Sequence, residues 1–319
     1  MIYLDSAATS LLKPPSVARA ASMAIRTMAS PGRGGHSAAM RAADTVFACR
    51  AAAAALFHVP EPERVVFTMN ATHALDIAIH SLVSPGDPVV ISGYEHNSVT
   101  RPLYALGAQV RVAASPLFDP AAAVDAFRRA LPGARAAVCT MVSNVFGYLL
   151  PVQEIAELCA AARVPLIVDA SQAAGCVALD ASALGAAFVA MPGHKGLLGP
   201  QGTGILLCFA QPEPLLYGGT GSQSMLQTMP EQLPDRLEAG THNVPGIAGL
   251  LAGIRYVSAQ GIAVRAGLHC APVAHRTAGT LETGTVRLSL SPFTTDADIA
   301  HTARAFHDIL RTGKSGFLY

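Results

Sequence analysis

Between about Arg64 and Phe209 short apolar runs alternate with alanine-rich stretches of helical length, and this alternation leaves few folds open. Arg64–Thr68, Pro88–Ser92, Ala108–Val112, Ala136–Met141, Val164–Asp169, Phe188–Ala190 and Gly204–Cys208 each read as a strand. The spacing predicts helices over Thr72–Leu82 and Pro151–Ala162. Strands joined through helices pair in parallel, because a crossover is needed to bring the chain back to the same edge. The expected fold class is therefore α/β, with a mostly parallel seven-stranded sheet between helices. Beyond it, Gly218 to Pro234 reads as an irregular connection and Pro245 to about Ser258 as a helix. A strand after Gly261, another near Thr285–Ser289 and a helix from Asp296 complete the expectation.

Of 319 residues, 51% are hydrophobic and 13% charged, so a large core is expected and disorder is not. The net charge is +1, without a basic block, which argues against a nucleic-acid partner. No leader-like segment opens the chain and no apolar run reaches membrane-spanning length, so a soluble, cytoplasmic protein without a membrane partner is expected. Few charges over so much apolar sequence also point to surface buried in an oligomer. The six cysteines form no C-x-x-C pair. Cys49, Cys139, Cys159, Cys176 and Cys208 lie in apolar surroundings and read as small core residues, whereas Cys270 follows Arg265-Ala266-Gly267-Leu268-His269.

The run Met191-Pro192-Gly193-His194-Lys195-Gly196 carries the strongest chemical signal. Glycines around Lys195 let a ligand approach the backbone, and an amine held there forms Schiff bases with carbonyl compounds such as pyridoxal phosphate (PLP). Taken alone, a lysine in a glycine-rich loop is a solvated turn residue. Upstream, however, an apolar strand ends in Asp169, a carboxylate delivered to the strand's C-terminal end, where open α/β sheets bind ligands. Asn70-Ala71-Thr72, Tyr94-Glu95-His96 and Ser143-Asn144 follow other strands. Singly each fits a loop or N-cap residue; together they converge on one sheet edge.

On these segments, with Tyr3-Leu4-Asp5-Ser6-Ala7-Ala8-Thr9, Pro31 to His36 and Leu237 to Asn243, the chain resembles the class V (fold-type I) PLP-dependent aminotransferase family, in its cysteine desulfurase and selenocysteine lyase branch. The resemblance implies a large PLP-binding domain (15–245) and a reduced small α/β domain (1–14 and 246–319). It implies that Lys195 holds the cofactor and moves the Cα proton, Asp169 meets the pyridine nitrogen, and His96 stacks on the ring and assists proton transfer. Gln172 meets the phenolic oxygen. Thr72, His194 and the backbone near Ala71 hold the phosphate, with Thr241 reaching in from the second subunit of a homodimer. Asn144 and Arg287 bind the substrate carboxylate, and Arg265 and His36 are assigned to the same substrate, L-cysteine or a related amino acid. The segment Arg265 to Cys270 matches the R-x-G-x-H-C pattern of the group II desulfurases, making Cys270 the nucleophile that takes the sulfur as a persulfide for a sulfur-acceptor protein. The alternatives for Cys270 are an inert buried thiol or a metal site with His269 and His275 that lacks a fourth ligand.

Two departures stand out. Pro192 replaces a serine that bonds the phosphate in many relatives. Between Val257 and Ile262 only Ser258-Ala259-Gln260-Gly261 intervenes, where relatives place most of the small domain. The strand Ile262–Arg265 thus loses its flanking strands, and an unpaired strand edge seeks partners. The stretch from Tyr217 to Thr241 is too short for the long hairpin that some group II enzymes extend toward a partner. A selenocysteine lyase, a β-elimination or transamination on the same scaffold, and a PLP-binding subunit with little activity remain as alternatives to a desulfurase.

Overall fold

The computed structural model describes residues 2–32, 34–260, 272–280 and 287–312. Strands β1 (Val65–Thr68), β2 (Pro88–Ser92), β3 (Gln109–Ala113), β4 (Ala136–Thr140), β5 (Leu166–Asp169), β6 (Phe188–Pro192) and β7 (Gly204–Cys208) form one sheet in the order β1-β7-β6-β5-β4-β2-β3. β7 runs antiparallel to both neighbours, and the remaining pairs are parallel, so six strands point the same way. The loops after β1, β2, β4, β5 and β6 therefore emerge at one edge.

Side chains alternate between two cores, as a period of two requires. Val65, Phe67, Ala137, Cys139, Leu166, Val168, Val189 and Met191 enter one; Val66, Ala136, Val138, Ile167, Phe188 and Ala190 enter the other. Helices α1 (Pro15–Thr27), α2 (Ser37–Leu56), α5 (Pro120–Ala130) and α6 (Val152–Ala162) contribute to the first core, α3 (Ala71–Leu82) and α4 (Asn97–Ala105) to the second. Short α7 (Ala181–Leu184) belongs with the first. Buried on both faces, the strands read as near-continuous apolar runs, which is why they were visible in the sequence. The five cysteines expected in the core are all buried.

Helix α8 (Val244–Gln260) packs on α1 and α2 and lies directly against the chain that follows Lys195. A Cβ at Gly253 would stand 2.3 Å from the Leu197 carbonyl oxygen, so only glycine permits this approach. Helices α9 (Pro272–Thr277) and α10 (Asp296–Thr312) complete the described chain. The strand expected after Gly261 lies outside the described residues. Of the strand expected over Thr285–Ser289, the described part makes a single parallel bridge, Ser289 to Asp5. No described helix is long and apolar enough to cross a membrane.

Candidate active site

Each loop at the common edge is fixed by its own short-range bonds. After β1, the Asn70 side chain caps α3 by accepting from the His73 amide at 2.9 Å. After β2, His96 caps α4: its Nδ1 accepts from the Ser98 amide at 3.0 Å. The Ser98 hydroxyl bonds His96 Nδ1 at 2.9 Å and Thr72 Oγ1 at 2.8 Å, joining the first turns of α3 and α4. After β5, Asp169 is buried and its Oδ1 accepts from the Ser171 amide at 2.9 Å. Gln172, one turn on, donates from Nε2 to the Ala7 carbonyl at 3.2 Å, and its Oε1 is buried without a hydrogen-bond partner.

Lys195 sits between β6 and β7 in a loop closed by its own backbone. The Gly193 amide donates to Thr203 O at 2.8 Å, Gly199 to Gly193 O at 2.8 Å, and Leu198 to Lys195 O at 2.9 Å. The preceding carbonyl, His194 O, accepts from the Ser10 amide at 3.1 Å, Ser10 Oγ at 2.9 Å and Lys13 Nζ at 3.4 Å. Lys195 lines a mostly apolar cavity with Ser6, Gln172, Cys176 and Leu290. Ser6 Oγ, like Gln172 Oε1, is buried there and unpartnered. Cys176 belongs to both descriptions, a core cysteine and a cavity wall: a Cβ on Gly196 would lie 2.4 Å from its Sγ.

Burial lowers the His96 pKa; the charge of Asp169 opposes that shift and Lys195 and Arg101 reinforce it. His96 is thus neutral at pH 7, and because Nδ1 accepts from a backbone amide, Nε2 carries its proton. Burial, with the nearby charges of Lys195 and Lys13, lowers His194 to about 4. Lys13 is itself lowered to about 8 by burial and bonds Ser10 O and Ser10 Oγ at 2.8 and 2.6 Å. Lys13, Ser6, Ser10 and Cys176 escaped the sequence reading as site residues, since nothing local marks them; the nearest signal was their place in or beside matching segments.

Lys195 and Gln172 share one cavity, and His96 stands where both Asp169 and Lys195 act on it. Buried Asn144 and Arg287, which ion-pairs with Asp5, are held on other segments; Ser289 N donates to Leu4 O at 2.7 Å beside that pair. Thr241 is exposed, lines two other cavities with His242 and Glu238, and does not line the Lys195 cavity. His36 is exposed and caps α2, with Nδ1 accepting from the Ala39 amide at 3.4 Å. Cys270 and Arg265 lie outside the described residues, as does His269. Among the described residues no cluster of three or more metal-ligating side chains occurs.

A buried carboxylate at a parallel strand's end, a lysine on the neighbouring loop and a capped helix N-terminus define the ligand edge of an open α/β enzyme. A family model for class-V aminotransferases matches residues 2–261 and 256–301, and the chain belongs to that family. The two matches overlap over residues 256–261. Over 274 residues the chain is 34% identical to a probable cysteine desulfurase of Methanothermobacter thermautotrophicus, covering 82% of this chain and 68% of that protein. Over 280 residues it is 34% identical to a cysteine desulfurase of Dickeya dadantii, covering 82% and 67%. Its fold resembles an apo cysteine desulfurase from Thermococcus onnurineus, with a TM-score of 0.84 at 25% identity over 97% of this chain and 94% of the other. Within the family it falls in the cysteine desulfurase branch, whose members depend on PLP.

Proposed function

We propose that the protein uses PLP to release alanine from L-cysteine and carries the sulfur as a persulfide on Cys270. One arrangement carries the reading: Asp169 at the end of β5, His96 just after β2 and Lys195 in the β6–β7 loop stand at one edge of the sheet, with Lys195 and Gln172 lining one cavity.

The residues present fit PLP. Buried Gln172 Oε1 and Ser6 Oγ have no partner, and a bound polar ligand would satisfy such atoms. Lys195 would hold the aldehyde carbon, Asp169 the pyridine nitrogen and Gln172 the phenolic oxygen. His96 would cover the ring face. Thr72, His194 and the backbone near Ala71 would hold the phosphate at the N-terminus of α3, with Thr241 supplied by a second copy of the chain. When bound, PLP supplies an electron sink for the substrate's Cα–H and C–S bonds.

The chain's own groups do the rest. Lys195, once released, takes the Cα proton. His96, neutral with its proton on Nε2, would cover the ring as an uncharged imidazole and assist proton transfer. Asn144 and Arg287 hold the substrate carboxylate, Arg287 through its two-pronged guanidinium, and Arg265 and His36 belong to the same substrate site. The Cys270 thiolate attacks the substrate sulfur: an S–S bond forms, the C–S bond breaks, and the electron pair left on carbon takes a proton as alanine departs. A sulfur-acceptor protein then removes the sulfur. Exposed Met23, Ile25, Met40 and Phe47 on α1 and α2, with exposed Thr241, support assembly as a homodimer. The division into a large domain (15–245) and a reduced small domain (1–14 and 246–319) belongs to the same proposal.

Product analysis of the PLP-loaded protein with L-cysteine and a thiol reductant tests it. Alanine matched by sulfide, and lost in Cys270→Ala, is the expected result. Pyruvate in place of alanine, or alanine undiminished in Cys270→Ala, would overturn it.

A further inference from the structure

Glu95 follows β2 immediately and is fully buried, at 0% exposure. Its Oε1 accepts from the Ser92 hydroxyl at 2.5 Å and from the Thr140 amide at 2.7 Å. Thr140 ends β4 and stands in register with Asp169 at the end of β5. Glu95 thus bridges two strand ends one position from the buried carboxylate on the next strand. Both donors are neutral, and among the described residues no salt bridge reaches this carboxyl. Oε2 is buried and has no hydrogen-bond partner. A lone carboxylate so enclosed is very costly, whereas a carboxylic acid with one open O–H is only modestly so.

We propose that Glu95 is a neutral carboxylic acid, a positioning residue that fastens β2 to β4 and leaves the negative charge of this carboxyl pair to Asp169. The bond pattern assigns the proton: Oε1 takes both donors as the carbonyl oxygen, so Oε2 carries the hydrogen. Burial pushes the Glu95 carboxyl up to about 8; the Ser92 and Thr140 bonds oppose the rise and the charge of Asp169 adds to it. The ionisable groups facing it are Asp169 from β5 and Cys139 from β4, and neither is a cation. A carboxyl buried beside another, with only neutral donors and no cation, keeps its proton. The neutrality of Glu95 stands on the fold alone; its value to Asp169 as the partner of a pyridine nitrogen rests on the PLP reading above.

The test uses the full chain without added cofactor, so that failure of the PLP reading leaves its result unchanged. Denaturant unfolding of the parent and of Glu95→Gln is followed across pH. Between 4.5 and about 8 the unfolded parent ionises residue 95 and the folded parent does not. The ratio of their unfolding constants, parent over variant, then grows about tenfold per pH unit through that window and levels off above it. A ratio that stays constant across the window would overturn the proposal. Should Glu95→Gln fail to fold, infrared titration of the parent decides alone. A carboxylic-acid C=O band that fades with a midpoint near 8 is expected, and no protonated carboxyl above pH 6 would overturn it.

Discussion

Arg50 of α2 and Glu238 form a two-pronged ion pair, NH1 to Oε1 at 2.9 Å and NH2 to Oε2 at 2.8 Å, with both side chains buried. Glu238 Oε1 also accepts from the Phe67 amide of β1 at 2.7 Å, and the Arg50 guanidinium stands 4.6 Å above the Phe67 ring. The pair pins the loop carrying Gly240 and Thr241 to the sheet. Removing one partner strands the other's charge, so Arg50→Ala should cost about 3–5 kcal/mol, whereas Arg50→Met with Glu238→Leu should recover most of it. Urea unfolding of the three variants measures both effects.

Gly253→Ala should be far worse than an ordinary glycine replacement. The new methyl meets the Leu197 carbonyl oxygen at 2.3 Å and Leu198 C at 2.9 Å, both backbone, so α8 and the Lys195 loop must separate. A loss of about 1–3 kcal/mol is expected. Gly35→Ala, where a Cβ meets nothing within 4 Å, serves as the control in thermal melts.

Acid should weaken the fold through His194. Its folded pKa is lowered from 6.5 to about 4, so between those values the unfolded chain binds more protons. Stability from this source is complete above pH 6.5 and is lost as pH falls toward 4. Partial exposure to solvent limits the effect to about 1–2 kcal/mol. His194→Asn should flatten this part of the stability curve relative to the parent.

Asp169→Asn removes the buried charge while keeping the shape. On the proposed reading it should lower kcat by at least about 100-fold, the scale of losing one preorganised electrostatic partner. Unfolding should remain cooperative, since the Ser171 amide keeps an acceptor. Steady-state alanine release and a denaturant curve on the same preparation separate the two.

The sheet was legible because its strands are buried on both faces. Pro88–Ser92 and Gly204–Cys208 coincide with β2 and β7, and the other strands agree to within a few residues. Helix α2 was not read: its alanines surround the axis, so apolar and polar faces hardly differ. Helix α4 begins Asn97-Ser98-Val99-Thr100 and contains Pro102, both of which suggest a loop. In the site, Asp169 stood out at the end of an apolar strand, His96 just after one, and Lys195 in its glycine-rich run. Glu95 and Lys13 did not, because a charged letter carries no sign of burial, which depends on strand order across the sheet. The Asp5–Arg287 pair joins residues nearly the whole chain apart and left no local trace.

Because β7 runs back beside β6, the segment bearing Lys195 is a connection between two adjacent strands of the same sheet rather than an arm reaching from elsewhere. Its ends are already held together by strand pairing, so ordering it costs little closure entropy. The residues that brace it come from the N-terminal segment and from α8. The lysine's seat is therefore built twice over, by strand pairing that closes the loop and by Ser10, Lys13 and Gly253, which hold it from outside the sheet.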